Sequence, residues 1–94
     1  MTLLTVTPDG KKIVVKIVEA SNPETTAKDV TVFAVFDEIN VIDRGIEGVI
    51  STTMLDVNAT SVVVVSVSRN VAEVLVRQVA AGKTAKVNVI AIGV

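Results

Sequence analysis

The sequence predicts an all-β fold, an antiparallel sandwich of about seven strands, and three observations predict it. Val, Ile and Thr supply about two-fifths of the residues, and β-branched side chains fit a pleated, half-buried surface while losing χ1 freedom in a helix. Runs of these residues recur at spacings of roughly 8–14 residues, with turn formers between them. Ninety-four residues that are 50% hydrophobic and 20% charged are enough for one core and too apolar for a disordered chain. No repeat, low-complexity tract or linker divides residues 1–94, so they form a single domain.

The elements follow in order. Residues 3–7 and 12–19 flank Pro8-Asp9-Gly10-Lys11, where Pro presets φ for a turn and Gly10 takes the positive φ that closes a short hairpin. In the second strand Ile13, Val15 and Ile17 share one face, and Lys12 and Lys16 share the other with Val14 and Val18. Loop formers at Ser21-Asn22-Pro23-Glu24-Thr25-Thr26 end it. Residues 29–36 resume the pattern as a third strand, with Val30, Val32, Ala34 and Phe36 on one face and Phe33 and Val35 on the other. Residues 37–46 read as turns around short extended pieces, and residues 49–53 as a short strand. Asp56-Val57-Asn58-Ala59 is a polar corner before the strand at 61–68. The last strand spans residues 84–92.

Residues 70–81 admit two readings. As a helix, Asn70 caps the N-terminus with Glu73 three residues on, Val71, Val74, Leu75 and Val79 share a face, and Gly82 ends it. As a strand, Ala72, Val74 and Val76 oppose Glu73, Leu75 and Arg77. The strand reading gives a Greek-key sandwich. If residues 27–38 and 70–81 are both helical, the order becomes βαββαβ, a ferredoxin-like α+β fold, which sets the β-branched residues 29–36 against their propensity.

Each architecture has a family beside it. The piece Val14-Val15-Lys16-Ile17-Val18-Glu19-Ala20-Ser21-Asn22-Pro23, with Thr26-Ala27-Lys28-Asp29-Val30-Thr31-Val32 and the ending at residues 79–89, resembles CARDB-like and related immunoglobulin-like domains of bacterial and archaeal surface proteins. The resemblance covers about half the chain and implies an immunoglobulin-like Greek-key sandwich serving as a non-enzymatic adhesion or assembly module. Glu24 stands where those domains commonly have Gly, and no Trp or Tyr is available for the core. The βαββαβ alternative is similar to an ACT domain at Val32-Phe33 and Ile39-Asn40-Val41. That similarity implies a regulatory module binding a small molecule at the loop 21–26, where Pro23-Glu24 replaces the expected Pro-Gly pair.

Composition narrows function more than any motif. A formal charge of −1 offers no polyanion-attracting field, and two Phe leave no ring platform for bases, so nucleic acid is not an expected partner. With no His and no Cys, most transition-metal sites and the usual general bases and nucleophiles are missing. No enzyme activity, catalytic residue, cofactor, metal or small-molecule substrate is therefore expected. Apolar runs fall far short of the roughly 18 residues a membrane helix needs, and residues 1–9 lack the basic and apolar regions of a signal peptide.

Several short patterns have plainer readings. Ala81-Gly82-Lys83-Thr84 ends like a phosphate loop, but Arg77 stands where its first Gly belongs. Gly45-Ile46-Glu47-Gly48 echoes a nucleotide-clamping loop, yet Glu47 repels phosphate. Asp37, Glu38 and Asp43 offer oxygens for Ca²⁺ or Mg²⁺ without a recognisable spacing. Asn58-Ala59-Thr60 satisfies the N-glycosylation rule. Lys11, Lys12 and Lys16 read as edge-strand protection.

What remains is a surplus of apolar residues, with Val on both faces of residues 62–65. Only about half the positions of a sandwich strand face the core, so apolar surface is left outside, and contiguous patches of it mark association. The expected partner is a protein, a second copy or an assembly neighbour, and a surface, filament or virion setting is favoured. The candidate contact residues are Phe33 and Val35, or Val62 and Val64, whichever pair faces outward.

Overall fold

The computed structural model describes residues 1–37 and 45–94. Among these residues seven strands form, each in a run of β-branched residues: β1 (Thr2–Val6), β2 (Lys12–Ser21), β3 (Lys28–Val35), β4 (Ile46–Met54), β5 (Ser61–Ser68), β6 (Val71–Val79) and β7 (Thr84–Gly93). They make two antiparallel sheets, of order β1-β2-β7-β4 and β3-β6-β5. Among the described residues there is no helix.

Strand β7 shows why the sheets stack. Ala85, Val87, Val89 and Ala91 are fully buried at every second position, and β7 pairs with β2 on one side and β4 on the other. Opposite it, Ala72, Val74 and Val76 of β6 are equally buried. Burial at period two on both strands is what two facing sheets demand. Small Val and Ala side chains fill most of the core, and Phe36 is its one aromatic. The body is elongated, 47 × 20 × 18 Å.

The βαββαβ alternative is thereby corrected. Its two proposed helices are β3 and β6, and β6 is the central strand of its sheet, paired with β3 along one edge and β5 along the other. Two flanking ladders outweigh the capping signals at Asn70 and Glu73, because tertiary pairing overrides local propensity. The short strand expected at residues 49–53 is longer, starting at Ile46. Of the turns expected at residues 37–46, all but Asp37, Gly45 and Ile46 lie outside the described residues.

The two ends close differently. At one, the Thr7–Lys11 turn, the Arg69-Asn70 hairpin and the start of β4 meet. Phe36 N–H donates to Asn70 C=O at 2.6 Å, and Ile46 N–H donates to Arg69 C=O. Gly45 sits there at φ +89°, where a Cβ would lie 2.3 Å from the Arg69 carbonyl oxygen; only Gly permits that approach. At the other end Asn22, 1% exposed, donates its Nδ2 to Thr26 and Val79 carbonyls, both at 2.9 Å, and its Oδ1 accepts from Glu24 N–H at 3.0 Å.

Candidate interaction surface

The outward face of the three-stranded sheet is built by register. Thr31, Leu75 and Val63 lie in one row across β3, β6 and β5, and Phe33, Glu73 and Ser66 in the next. Val35 and Val71 form a third pair. Phe33 is 57% exposed and Val63 44%, while Leu75, Val35 and Val71 are half-buried against their neighbours. The patch is apolar, with Glu73 at its centre and Arg77 at its rim.

Of the sequence-derived contact residues, Phe33 and Val35 point outward together. Val62 and Val64 lie on the inward side of β5, half-buried, and Val62 packs against the core. The outward valines of β5 are Val63 and Val65. Sequence reading missed Leu75, because residues 70–81 had no settled period. It also missed a second apolar face on the four-stranded sheet, where Ile13 pairs with Ile92 and Val15 with Ile90. These four shield one another to half-burial, and the face turns polar further along, at the Glu19–Lys86 ion pair (3.7 Å) and the Ser21–Thr84 hydroxyl pair (2.9 Å).

The other motifs resolve into scaffolding. Residues 80–83 are a tight turn, with Lys83 N–H donating to Ala80 C=O at 3.1 Å and Gly82 at φ +67°, and a strand follows in place of the helix a phosphate loop requires. Glu47 and Gly48 belong to β4. Asn58 is half-buried and donates Nδ2 to Thr84 C=O at 2.9 Å, so its amide already ties down the β4–β5 connection. Glu38 and Asp43 lie outside the described residues, and among the described residues no three acidic, His or Cys side chains cluster. The lysine patch is dispersed. Lys11 pairs with Glu47 at 2.9 Å, and Lys16 turns inward to donate to Val35 C=O at 2.8 Å.

Among the described residues two titratable groups are displaced, both in the exposed β1–β2 turn. The Thr7 hydroxyl donates to Asp9 and holds its carboxyl below the ordinary value of 3.8, with Lys11 nearby adding to the effect. Glu47 raises Lys11 above 10.5, by hydrogen bond and by charge. A cavity of about 380 Å³ at the end of β1 is lined by Met1, Thr2, Val15, Lys16, Ile17 and Asn88. It gathers no carboxylate and no pair of groups arranged for proton transfer. Among the described residues no helix is long and apolar enough to cross a membrane. The chain matches no protein-family model, no curated protein and no solved structure.

Proposed function

We propose that this chain is a non-enzymatic interaction module of immunoglobulin-like, Greek-key type, akin to CARDB-like domains. In this reading it packs through the outward face of β3-β6-β5 onto a second copy or an assembly neighbour, as in a surface, filament or virion. One observation carries it: Phe33, a large aromatic in the middle of a regular strand, stands 57% exposed beside Val35, with Leu75 and Val63 in the adjoining row. An exposed aromatic with apolar neighbours along its strand and in the adjoining row is the usual form of an interface anchor, and here Glu73, directly across from Phe33, sets one charge beside it. The two sheets already close the core without it.

Sedimentation equilibrium at high micromolar concentration tests the reading against Phe33→Glu. The parent should associate, and the variant should lose about tenfold or more in association constant. Because Phe33 is more than half exposed, the variant should unfold within about 1 kcal/mol of the parent. A parent that stays monomeric and captures no neighbour through this face would remove the proposal.

A further inference from the structure

The second feature that asks for a partner is the strand β1. All five of its residues are exposed, because the sheet that carries it has four strands and the facing sheet has three. The side-by-side packing of the sheets sets β3 against β2 and β5 against β4, so β1 overhangs with little beneath it. Leu3, Leu4 and Val6 are 45%, 52% and 52% exposed. Thr2 and Thr5 face Val15 and Ile13 of β2. Asn22 N–H bonds to Lys83 C=O across β2 and β7, so by antiparallel alternation the odd-numbered residues of β2 turn their backbone groups toward β1. Thr2 and Thr5 meet those groups, and the backbone groups between and beyond them, at Leu3 and Val6, turn outward.

Natural edge strands are guarded by charges, prolines or a covering element. The other edges here have such guards. β3 begins with Lys28 and Asp29, and the Lys16 ammonium occupies its Val35 carbonyl. β4 carries Glu47 and breaks register twice, and β5 lies against β4. The part of β2 left uncovered by β1 carries Lys16 and Glu19. β1, Thr2-Leu3-Leu4-Thr5-Val6, has no charge and no proline, and its one irregularity is the extra residue at Leu4.

We infer that β1 pairs antiparallel with β1 of a second copy about a two-fold axis near Leu4, joining two four-stranded sheets into one of eight. A second copy is an occupant this edge accepts: a two-fold sets the residues near its axis against their own copies, where a charge would face its like, and β1 carries no charged side chain. The paired edges are only five residues long, and an interface well below about 1,200 Å² makes a weak complex. The association is therefore of high-micromolar strength. This contact lies on a different side of the molecule from the Phe33 face and stands without it. A chain using both has two isologous surfaces and builds beyond a dimer, closing as a dihedral tetramer where the two axes intersect at right angles and extending where they do not.

The test uses the full chain, which has no cysteine, so a single introduced thiol reports one position. Leu4→Cys should form an intermolecular disulfide at least about tenfold faster than Val57→Cys, a control at an apolar side chain that is 94% exposed, because prepositioned groups react at raised effective concentration. Leu4→Lys, a like charge beside the axis, should abolish that association in sedimentation while Phe33→Glu retains it. Equal cross-linking at both positions, or unchanged association of Leu4→Lys, overturns the inference. If Phe33→Glu alone monomerises the chain, the sheet-face reading stands and the β1 contact falls. If Leu4→Lys alone does so, the reverse holds.

Discussion

The two ends of the sandwich are closed by opposite means. At one, Phe36 is fully buried, and the segments around it are held by backbone bonds, from Phe36 to Asn70, Ile46 to Arg69 and Val94 to Gly45. At the other, the buried plug is Asn22, a polar side chain that makes three hydrogen bonds to two segments, its own loop at Glu24 and Thr26 and the end of β6 at Val79. Asp56 and Asn58 do similar work nearby: Asp56 accepts from Asn58 and Lys86 backbone amides, each at 3.0 Å, and Asn58 reaches Thr84. The difference follows from what each end must satisfy. Where hairpins meet squarely, main-chain groups find each other and a hydrophobic plug suffices. Where loops of unequal length converge, their orphan carbonyls and amides need side chains with both donors and acceptors.

Removing each plug sharpens that contrast. Phe36→Ala should cost about 4 kcal/mol, because it deletes the largest core side chain and leaves a cavity that rigid strands cannot collapse. For a chain this small that is about a 20 °C fall in Tm, read by calorimetry. Asn22→Ala should cost less, about 2 kcal/mol, the penalty of leaving the Val79 carbonyl and its companions unpaired, softened by entering water. Hydrogen exchange distinguishes the two. Loss of Asn22 should raise exchange locally, at Glu24 and the neighbouring loops, whereas loss of Phe36 should raise it throughout the core. A Phe36 variant as stable as the Asn22 variant would show that the apolar plug is not what closes its end.

Much of this arrangement was legible from residue order. The strands, the Pro8-Asp9-Gly10 hairpin and the apolar period of β7 follow from chemistry acting over a few residues. The hairpin closes as expected, with Gly10 at φ +84°. What could not be read was any property decided across sheets. β2 has an apolar choice on both faces, and only the facing sheet shows that Val14 and Val18 go inward while Lys16 reaches over to Val35. β5 is apolar on both faces too, and its register shift between Val64 and Ser66 leaves no local trace. So Phe33 and Val35 were found as a pair, while Val63 and Leu75 beside them were not. The role of Asn22 had a faint signal, since Asn before Pro favours a side-chain-closed turn, but nothing local reveals that its amide also reaches Val79.

The smallest effect belongs to the end with the apolar plug and probes whether any of its closure is electrostatic. Asp9 is held below 3.8, chiefly by the Thr7 hydroxyl, and Lys11 above 10.5, chiefly by Glu47. A lowered acid contributes stability above its ordinary pKa and loses it as pH falls through the folded value; a raised base contributes below its ordinary pKa and loses it as pH rises through the folded value. The turn is thus fully supported between 3.8 and 10.5 and loosens on both sides, by different bonds. Both groups are solvent-exposed, so screening keeps the contribution small. Amide chemical shifts of Thr7 and Lys11 should stay flat across that window, then move at the acid limb with Asp9 and at the alkaline limb with Lys11. Thr7→Val should abolish the acid limb alone, and Glu47→Gln should weaken the alkaline one. The Asn22 bonds use backbone groups and its own amide, so the shifts of the Asn22 side-chain amide and of Val79 should not follow either limb. If they do, the two ends are coupled through the sheets and the contrast between them is one of chemistry without independence.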